Sequence, residues 1–264
     1  MFDFNRSGLE GDFMNYRQAP GLNYSLLKEF KNGQEHVGKT EETYPMLEGR
    51  GFECLIKDDA LGLNNFPALF IIEPSGLSKK DKTSFQLDNL DKTVLTQNSF
   101  DCLKVMVKNT LDMPFLKWTI REIIQKSVVS KPIFWEEDGI LKKCELDFYC
   151  VIAGQVYIFD LKSFHGTNSF GYEIKKMGYW IQAIHYRHGA IAEFDTENVS
   201  KMQFIVGSKA KYNISEKWSI SDKSLYYCES AYSALIEDFK GWDAAGRPVK
   251  GYREEDFEAD IYFK

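Results

Sequence analysis

The sequence predicts an α/β fold, with one sheet and helices packed against it, from three features. Helical three-and-four spacing of apolar residues dominates the chain up to residue 127. Residues 132–162 then follow the two-residue period of strands and predict a three-strand meander. A long helix at 170–188, a strand at 202–206 and a helix at 225–239 complete the order. This order is typical of a single sheet flanked by helices.

The first half of the chain predicts mainly helices. Residues 24–32 have helical spacing with a serine near the start, and the second half of 44–59 continues that pattern after a proline. Residues 66–72 predict a short strand, and residues 79–127 return to helical spacing, with separate helices at 99–111 and 114–127. We therefore expect one domain over residues 1–264 that contains a candidate helical subdomain at 60–127.

The remaining segments read as follows. The meander is predicted as strands at Pro132–Glu136, Lys143–Ile152 and Gln155–Lys162. Residues 1–22 predict an irregular arm, and the charged, glycine-containing tail after Trp242 predicts a loosely held end. The sequence shows no composition break that would require a second domain.

Charge and composition narrow the classes of function. The 264 residues carry a formal net charge of −6, whereas nucleic-acid-binding domains usually have a basic excess. Five cysteines without a CxxC pair favour a reducing compartment over a disulfide framework or a zinc site. Apolar runs are too short for a membrane span, and the first residues lack a signal-peptide pattern. We expect a cytoplasmic protein with no membrane partner, whose positive charge for any DNA contact would be local.

The segment from Glu145 to Ser163 places charges inside two apolar runs. Ala153-Gly154 lies between the runs and favours a tight hairpin turn of type I′. A two-residue or four-residue turn there puts Asp147 opposite Asp160 and Glu145 opposite Lys162, so that Glu145 would hold the ammonium in place. A three-residue turn would instead send the two acids to opposite faces.

Two carboxylates opposite each other repel, which ordinary sheets avoid. A hard divalent cation reverses that repulsion because both acids can share it as oxygen ligands. Lys162 would then orient a water or stabilise the charge of a phosphate in its transition state. The alternative is a hairpin at the edge of the sheet, with the same charges on a solvated face, and the spacing by itself leaves both interpretations open.

The acids of the hairpin, together with motifs before and after it, resemble those of a known protein family. Asp147, a spacer and "Asp160-Leu161-Lys162" resemble the core motif of the PD-(D/E)xK nuclease superfamily. "GRGFECLI" at Gly49–Ile56 resembles an upstream helix motif of its RecE-like (exonuclease VIII) branch, with Glu53 in place of a histidine, as in lambda-type phage recombination exonucleases. "MGYWIQAIHY" at Met177–Tyr186 resembles the downstream helix motif, and the whole resemblance covers about residues 24–190 in the family's order. The usual proline before the first acid is Leu146 here.

The resemblance implies a restriction-endonuclease-like core, a central mixed sheet flanked by helices with a helical insertion. It implies that Asp147, Asp160 and the Leu161 carbonyl hold Mg²⁺, with Mn²⁺ as a substitute and a second ion nearer Glu53. Lys162 would position the attacking water, and Gln182 would orient Lys162 or that water. The catalytic set is then Asp147, Asp160, Lys162, Glu53 and Gln182.

One face of the predicted helix after the hairpin carries residues that suit contacts with DNA. Lys175, Tyr179, Gln182 and Tyr186 are spaced by four, three and four, which puts them on one helical face. Lys175, Tyr179 and Tyr186 would contact the DNA backbone or an unstacked base. We expect an electropositive groove near Lys162, Lys175 and Lys176; the alternative is an ordinary solvated face.

His185 and His188, three residues apart, lack an accompanying acid or cysteine motif and predict packing or surface roles.

The resemblance also implies an activity and partners. The activity is a metal-dependent exonuclease that degrades one strand of linear duplex DNA from the 5′ end, in phage-type recombination. The partners are double-stranded DNA ends, a RecT-like single-strand annealing protein and further copies of the chain, in a bacterial or phage-encoded system. Two alternatives are a structure-specific endonuclease or repair nuclease of the same superfamily, and a non-catalytic DNA-binding relative.

Overall fold

The computed structural model describes residues 16, 18–38, 42–166, 169–209 and 214–248. The predicted arm and tail therefore lie largely outside the described residues. The helices within them are α1 (Tyr24–Asn32), α2 (Tyr44–Leu61), α3 (Phe66–Leu69), α4 (Lys79–Leu87), α5 (Gln97–Leu111), α6 (Ile120–Gln125), α7 (Phe170–Lys176), α8 (Tyr179–Phe194) and α9 (Asp222–Ala244). The strands are β1 (Phe70–Glu73), β2 (Thr93–Thr96), β3 (Pro114–Phe115), β4 (Trp118–Thr119), β5 (Val128–Glu137), β6 (Ile140–Ile152), β7 (Gln155–Phe164), β8 (Gln203–Ser208) and β9 (Ser215–Trp218).

The central sheet has five strands in the order β5-β6-β7-β8-β9. Strands β5 to β7 form the predicted antiparallel meander, β8 joins β7 in parallel and β9 returns antiparallel at the edge. The α/β class with a central mixed sheet flanked by helices is thus confirmed. β9 was not predicted because Ser215–Trp218 is short and polar, without an alternating apolar pattern.

Two apolar cores cover the two faces of the sheet. The α2-side core joins Phe52 and Ile56 of α2 to Phe148 and Phe159 of the sheet, whose rings stack 4.5 Å apart. The α8-side core joins Ala183 and other residues of α8 to alternate residues of the same strands. Helices α5 and α6 contribute to the α2-side core, so the segment 60–127 shares its core with the sheet.

The elements of the segment 60–127 differ from those that the sequence predicted, a strand at 66–72 and helices over 79–127. Residues 66–72 begin as helix α3 and only then become strand β1, which pairs in parallel with β2. The predicted helix over 114–127 is also wrong at its start, because β3 and β4 form a small antiparallel pair there. Helix α6 begins only at Ile120, after Thr119 and Glu122 form a capping box that satisfies its first backbone donors.

The single helix predicted over 170–188 is two helices, α7 and α8. The break falls at Met177-Gly178, where Gly178 has φ +69° and begins α8. Glycine takes this left-handed conformation without the steric cost that a Cβ would add. The break matters for the site, because Lys175 and Tyr179 no longer lie on one continuous helix.

The hairpin turn has the geometry that the sequence predicted. Ile152 pairs with Gln155, so Ala153-Gly154 is a two-residue turn, and both residues have positive φ, +49° and +79°. These values are those of the type I′ turn, whose twist matches that of antiparallel strands.

Within the described residues, every helix is too short or too polar to cross a lipid bilayer.

Candidate active site

The pairing of β6 with β7 stops next to the two acids. Its last pair is Phe148 with Phe159, and beyond that point β7 continues beside β8. Asp147 and Asp160 are the next residues on each strand. Asp147 Oδ2 accepts a hydrogen bond of 2.6 Å from the Leu161 backbone N–H. A carboxylate therefore takes the place of a backbone partner where the strands separate.

The other side of β6 is also irregular at Asp147. The ladder with β5 pairs Val129 with Phe148 and Lys131 with Leu146, and it skips Ser130 and Asp147 between them. Leu146 packs in the α8-side core whereas Phe148 packs in the α2-side core, so the usual alternation of faces is interrupted. The register is the same on both sides of the gap, so no extra residue is inserted, but the side chains of β6 change faces at Asp147.

The predicted pairing of Glu145 with Lys162 is not formed. Glu145 pairs across to Pro132 of β5, and the β6–β7 ladder ends before it reaches Lys162. Lys162 instead forms an ion pair with Asp160 Oδ2, two residues earlier on the same strand. Its ammonium also lies 5.0 Å from the centre of the Tyr179 ring, a cation–π contact.

Asp160 is held from the α8 side. It is only 2% exposed, and Gln182 Nε2 donates a hydrogen bond of 2.6 Å to its Oδ1. The Gln182 Oε1 atom is buried and has no hydrogen-bond partner among the described residues. A buried acceptor without a donor is rare in a native protein and is often satisfied by a ligand or an ordered water.

Without a bound metal ion, the negative charges of Asp147 and Asp160 are only partly neutralised by the lysines near them. Burial raises the pKa of Asp147 well above its ordinary value, and the charges of Glu53 and Asp160 raise it further against Lys57 and Lys162. Burial also raises the pKa of Asp160, although Lys162 opposes the shift. Burial acts to lower the pKa of Lys162, but Asp160 and its other neighbours outweigh it and the pKa is raised. Strongly perturbed acids next to a cleft are typical of functional sites.

Glu53 lies near Asp147 and Asp160, but its carboxylate already forms an ion pair with Lys57. Helix α2 places Lys57 one turn after Glu53, and the Lys57 Nζ atom is 2.5 Å from Glu53 Oε1. The same Nζ atom donates to Ser130 Oγ at 2.7 Å. Burial acts to lower the pKa of Lys57, but Glu53 and Asp147 raise it, so the ammonium stays charged. Lys57 and Ser130 were not singled out from the sequence, although Lys57 carried the (i, i+4) signal.

A cleft of about 1450 Å³ opens beside Asp147. Its lining comes from α2, from the segment 60–127 and from residues of β5, β6 and α8. Its charged lining contains both signs: Arg50, Lys57, Lys92 and Lys143, and also Glu42, Glu53, Asp91, Glu145 and Asp147. The volume exceeds that of a typical small-molecule pocket, so the cleft has room for a polymer.

The four predicted residues after the hairpin separate into three positions. Gln182 and Tyr179 lie beside Asp160 and Lys162, and Tyr186 lines the cleft. Lys175 and Lys176 are exposed at the end of the separate helix α7 and do not line the cleft. The predicted continuous stripe is therefore wrong, because Gly178 breaks the helix. The electropositive groove near Lys162, Lys175 and Lys176 stays a prediction. A DNA contact by Lys175 stays a prediction.

Helix α1 also reaches the site, which no sequence signal indicated. The Tyr24 hydroxyl donates to the Met177 carbonyl at 3.1 Å, which joins α1 to the break between α7 and α8. Burial raises the pKa of Tyr24, and Tyr179 and Asp160 raise it further. Burial lowers the pKa of Lys28, and the nearby charge of Lys162 adds to that shift. Lys28 is thus a second cation close to Lys162.

The donor atoms at the site suit a magnesium ion. Among the described residues, no group of three or more His, Cys, Asp and Glu side chains is arranged to hold a metal. Magnesium, however, is commonly bound by one or two carboxylates and keeps several of its waters. Asp147 and Asp160 supply two hard oxygen donors with raised pKa values, and the partnerless Gln182 Oε1 can accept from a bound water. The residues present therefore fit this ion.

No family model matches the chain, and no curated protein matches it in sequence. The fold is similar to the crystal structure of a protein from Eubacterium rectale that is described as a "putative exonuclease". The TM-score is 0.57 and the sequence identity is 14%, over 91% of this chain and 87% of that chain. At this identity the likeness establishes a shared fold.

Proposed function

We propose that this chain is a metal-dependent deoxyribonuclease that hydrolyses phosphodiester bonds at Asp147 and Asp160. One observation carries the proposal. The two strands of a hairpin separate at the point where these acids lie, and Lys162 and Gln182 are fixed on Asp160 beside them. This costly arrangement of buried charges has no structural benefit that a neutral pair would not supply better.

The site supplies the groups that hydrolysis of a phosphodiester requires. A Mg²⁺ ion held by Asp147, Asp160 and the Leu161 carbonyl would stabilise negative charge on the phosphate. Lys162 orients the attacking water, while Gln182 holds Asp160 and accepts from that water through Oε1. The water oxygen bonds to phosphorus, the bond to the leaving oxygen breaks, and the proton lost by the water passes to solvent as the leaving oxygen gains one.

DNA is the substrate that the surroundings favour. The cleft is larger than a small-molecule site, and Tyr186 and Lys57 line it next to Asp147. The likeness in fold to a protein described as a "putative exonuclease" supports a nuclease of this general kind. The mixed charge of the cleft favours a substrate held by local contacts and a cation over one held by a broad basic surface.

The finer assignment is an exonuclease that degrades one strand of linear duplex DNA from its 5′ end in phage-type recombination. Its support is the order of the family-like motifs along the chain. The alternative enzyme is a structure-specific endonuclease or repair nuclease with the same site. A RecT-like partner, an oligomer of several copies and a cytoplasmic location stay predictions.

The test is digestion of linear and closed circular duplex DNA with and without Mg²⁺. We expect the wild-type chain to degrade only the linear DNA, and only with the metal. Asp160→Ala should lower the rate by roughly 100-fold or more, since it removes one of the two carboxylates that would hold the metal ion at the reacting phosphate. Asp138→Asn is the matched control, because Asp138 lies in the β5–β6 turn and is exposed, and its rate should not change.

The outcomes separate the alternatives. Cleavage of the closed circle would replace the exonuclease assignment with the endonuclease. Labelled 5′ and 3′ ends would decide the strand polarity. No metal-dependent loss of DNA, or equal loss in Asp160→Ala, would remove the enzyme and leave a non-catalytic DNA-binding protein.

A further inference from the structure

Lys57 is a buried cation in the wall of the cleft whose place in the site was not evident from the sequence. Its side chain is 13% exposed, and its ammonium bridges Glu53 Oε1 at 2.5 Å and Ser130 Oγ at 2.7 Å. Both Lys57 and Asp147 line the cleft. The ammonium is thus fixed at two points, from a helix and from a strand, close to the candidate metal site.

The strand side of this arrangement is held in an unusual conformation. Ser130 has φ +52°, a left-handed value that non-glycine residues rarely adopt. It lies opposite Asp147, at the place where the β5–β6 ladder is interrupted. Strained residues of this kind persist where the surrounding structure holds them, and they cluster at functional sites. Here the strained residue supplies the hydroxyl that positions Lys57.

The position of Lys57 disfavours binding of a second metal ion. A second ion would need Glu53, whose Oε1 atom already contacts the ammonium. A divalent cation bound to the same carboxylate would lie within a few ångströms of a fixed positive charge and would be repelled. The described residues also contain no group of three acids arranged around one metal.

We propose that Lys57 takes the place of the second metal ion, so that the site works with one divalent cation and a resident ammonium. The inference rests on the proposed nuclease function. Lys57 contacts a phosphate oxygen on the α2 side, while Lys162 acts from the α8 side. An ammonium can neutralise charge on a transferring phosphoryl group in the way a metal ion does. Lys57 gives up no proton in this role.

The test counts bound Mn²⁺ by electron paramagnetic resonance on the full chain without DNA. The wild type should bind about one Mn²⁺ per chain, and Lys57→Arg should keep that count. Lys57→Met should bind about two, the second more weakly, because Glu53 is released as a ligand. Adding Glu53→Gln to Lys57→Met should return the count to about one. Lys57→Gln serves as a second variant, and circular dichroism shows whether each variant is folded.

DNA cleavage provides a second measurement. Lys57→Met should cleave roughly 100-fold more slowly than the wild type at low Mn²⁺. It should recover part of that loss as the Mn²⁺ concentration rises and the second site fills, whereas the wild type should show no second phase.

Two results would overturn the inference. Two Mn²⁺ ions in the wild type, or one in both Lys57→Met and Lys57→Gln, would show that Lys57 does not replace an ion. No bound Mn²⁺ in the wild type would instead remove the proposed metal site itself, so the two failures can be told apart.

Discussion

Two clusters of polar and charged side chains each include a residue of α8, and the pKa values of their acids are shifted in opposite directions. The first cluster is the candidate site, with Asp147, Asp160, Lys162 and Gln182. The second cluster, the Glu137 cluster, consists of Glu137, Lys142, His188 and Glu229. In the first cluster, burial and neighbouring acids raise the pKa values of the two aspartates. In the second cluster, hydrogen bonds from His188 and Lys142 hold the pKa of Glu137 well below its usual range.

The Glu137 cluster is a satisfied network. Lys142 is fully buried and donates to Glu137 Oε2 at 2.6 Å, while His188 contacts Glu137 Oε1 at 3.0 Å and Glu229 Oε2 at 2.9 Å. Burial acts to lower the pKa of His188, but its two acidic partners outweigh it and raise the pKa to about 9. Each charge has an opposite charge in contact, as expected when the cluster only stabilises the fold.

The opposite pKa shifts of the acids distinguish charges that stabilise the fold from charges that serve a function. In the Glu137 cluster the ionised forms stabilise the folded chain. In the candidate site two acids remain close to each other and to Glu53, so ionisation costs stability until a cation arrives. A site that keeps such a cost is a candidate for ion binding or catalysis.

The largest effect on stability should come from replacing one acid in each cluster by its amide. Glu137→Gln should lower the free energy of unfolding by about 3 kcal/mol, because the buried Lys142 loses its charged partner. Asp147→Asn should raise it in EDTA. The reason is that an acid with a raised folded pKa destabilises the fold at pH values above its ordinary pKa. Urea unfolding at pH 7 measures both.

The amide that replaces the Asp147 carboxylate could still accept the hydrogen bond from the Leu161 N–H, so the comparison isolates charge. Asp88→Asn, exposed at the end of α4, serves as the control and should change little. Destabilisation of similar size by Glu137→Gln and Asp147→Asn would erase the distinction between the clusters.

A smaller effect should appear in the pH dependence of stability. His188 has a folded pKa raised to about 9 from an ordinary 6.5. Its charged form therefore contributes stability that is fully present below about pH 6.5 and is lost as the pH rises through 9. We expect the contribution to be about 2.5 kcal/mol at pH 7 and close to zero at about pH 10. Denaturation curves of the wild type and His188→Gln should converge over that range, and parallel curves would contradict the assignment.

Much of the site could be predicted from the sequence where local geometry decides it. Ala153-Gly154 suits positive φ at both turn positions, so the hairpin register followed from two residues and was confirmed. Gln182 was expected to orient Lys162 or the attacking water, whereas its hydrogen bond is to Asp160. Turn chemistry and strand alternation are short-range, which is why a single sequence carries them.

The remaining features depend on contacts between distant segments. Ser130 takes positive φ in a segment with strand-forming residues on both sides, and nothing local requires it. Gly178 ends one helix and begins another, although a glycine within a helical pattern is usually tolerated. The packing of α1 against α8, which brings Tyr24 and Lys28 to the site, is set by the third apolar core between α1, α8 and α9.

The smallest effect should be stabilisation by the metal itself. Binding to the folded state alone raises the free energy of unfolding by about 1.4 kcal/mol when Mg²⁺ is at ten times its dissociation constant. Because Asp147 is one of the two acids, Asp147→Asn should gain little from Mg²⁺, whereas Glu137→Gln should gain as much as the wild type. Thermal unfolding in Mg²⁺ and in NaCl of equal ionic strength measures the difference. An equal gain in all three proteins would show that the ion binds elsewhere, and the raised pKa values of Asp147 and Asp160 would then need another cause.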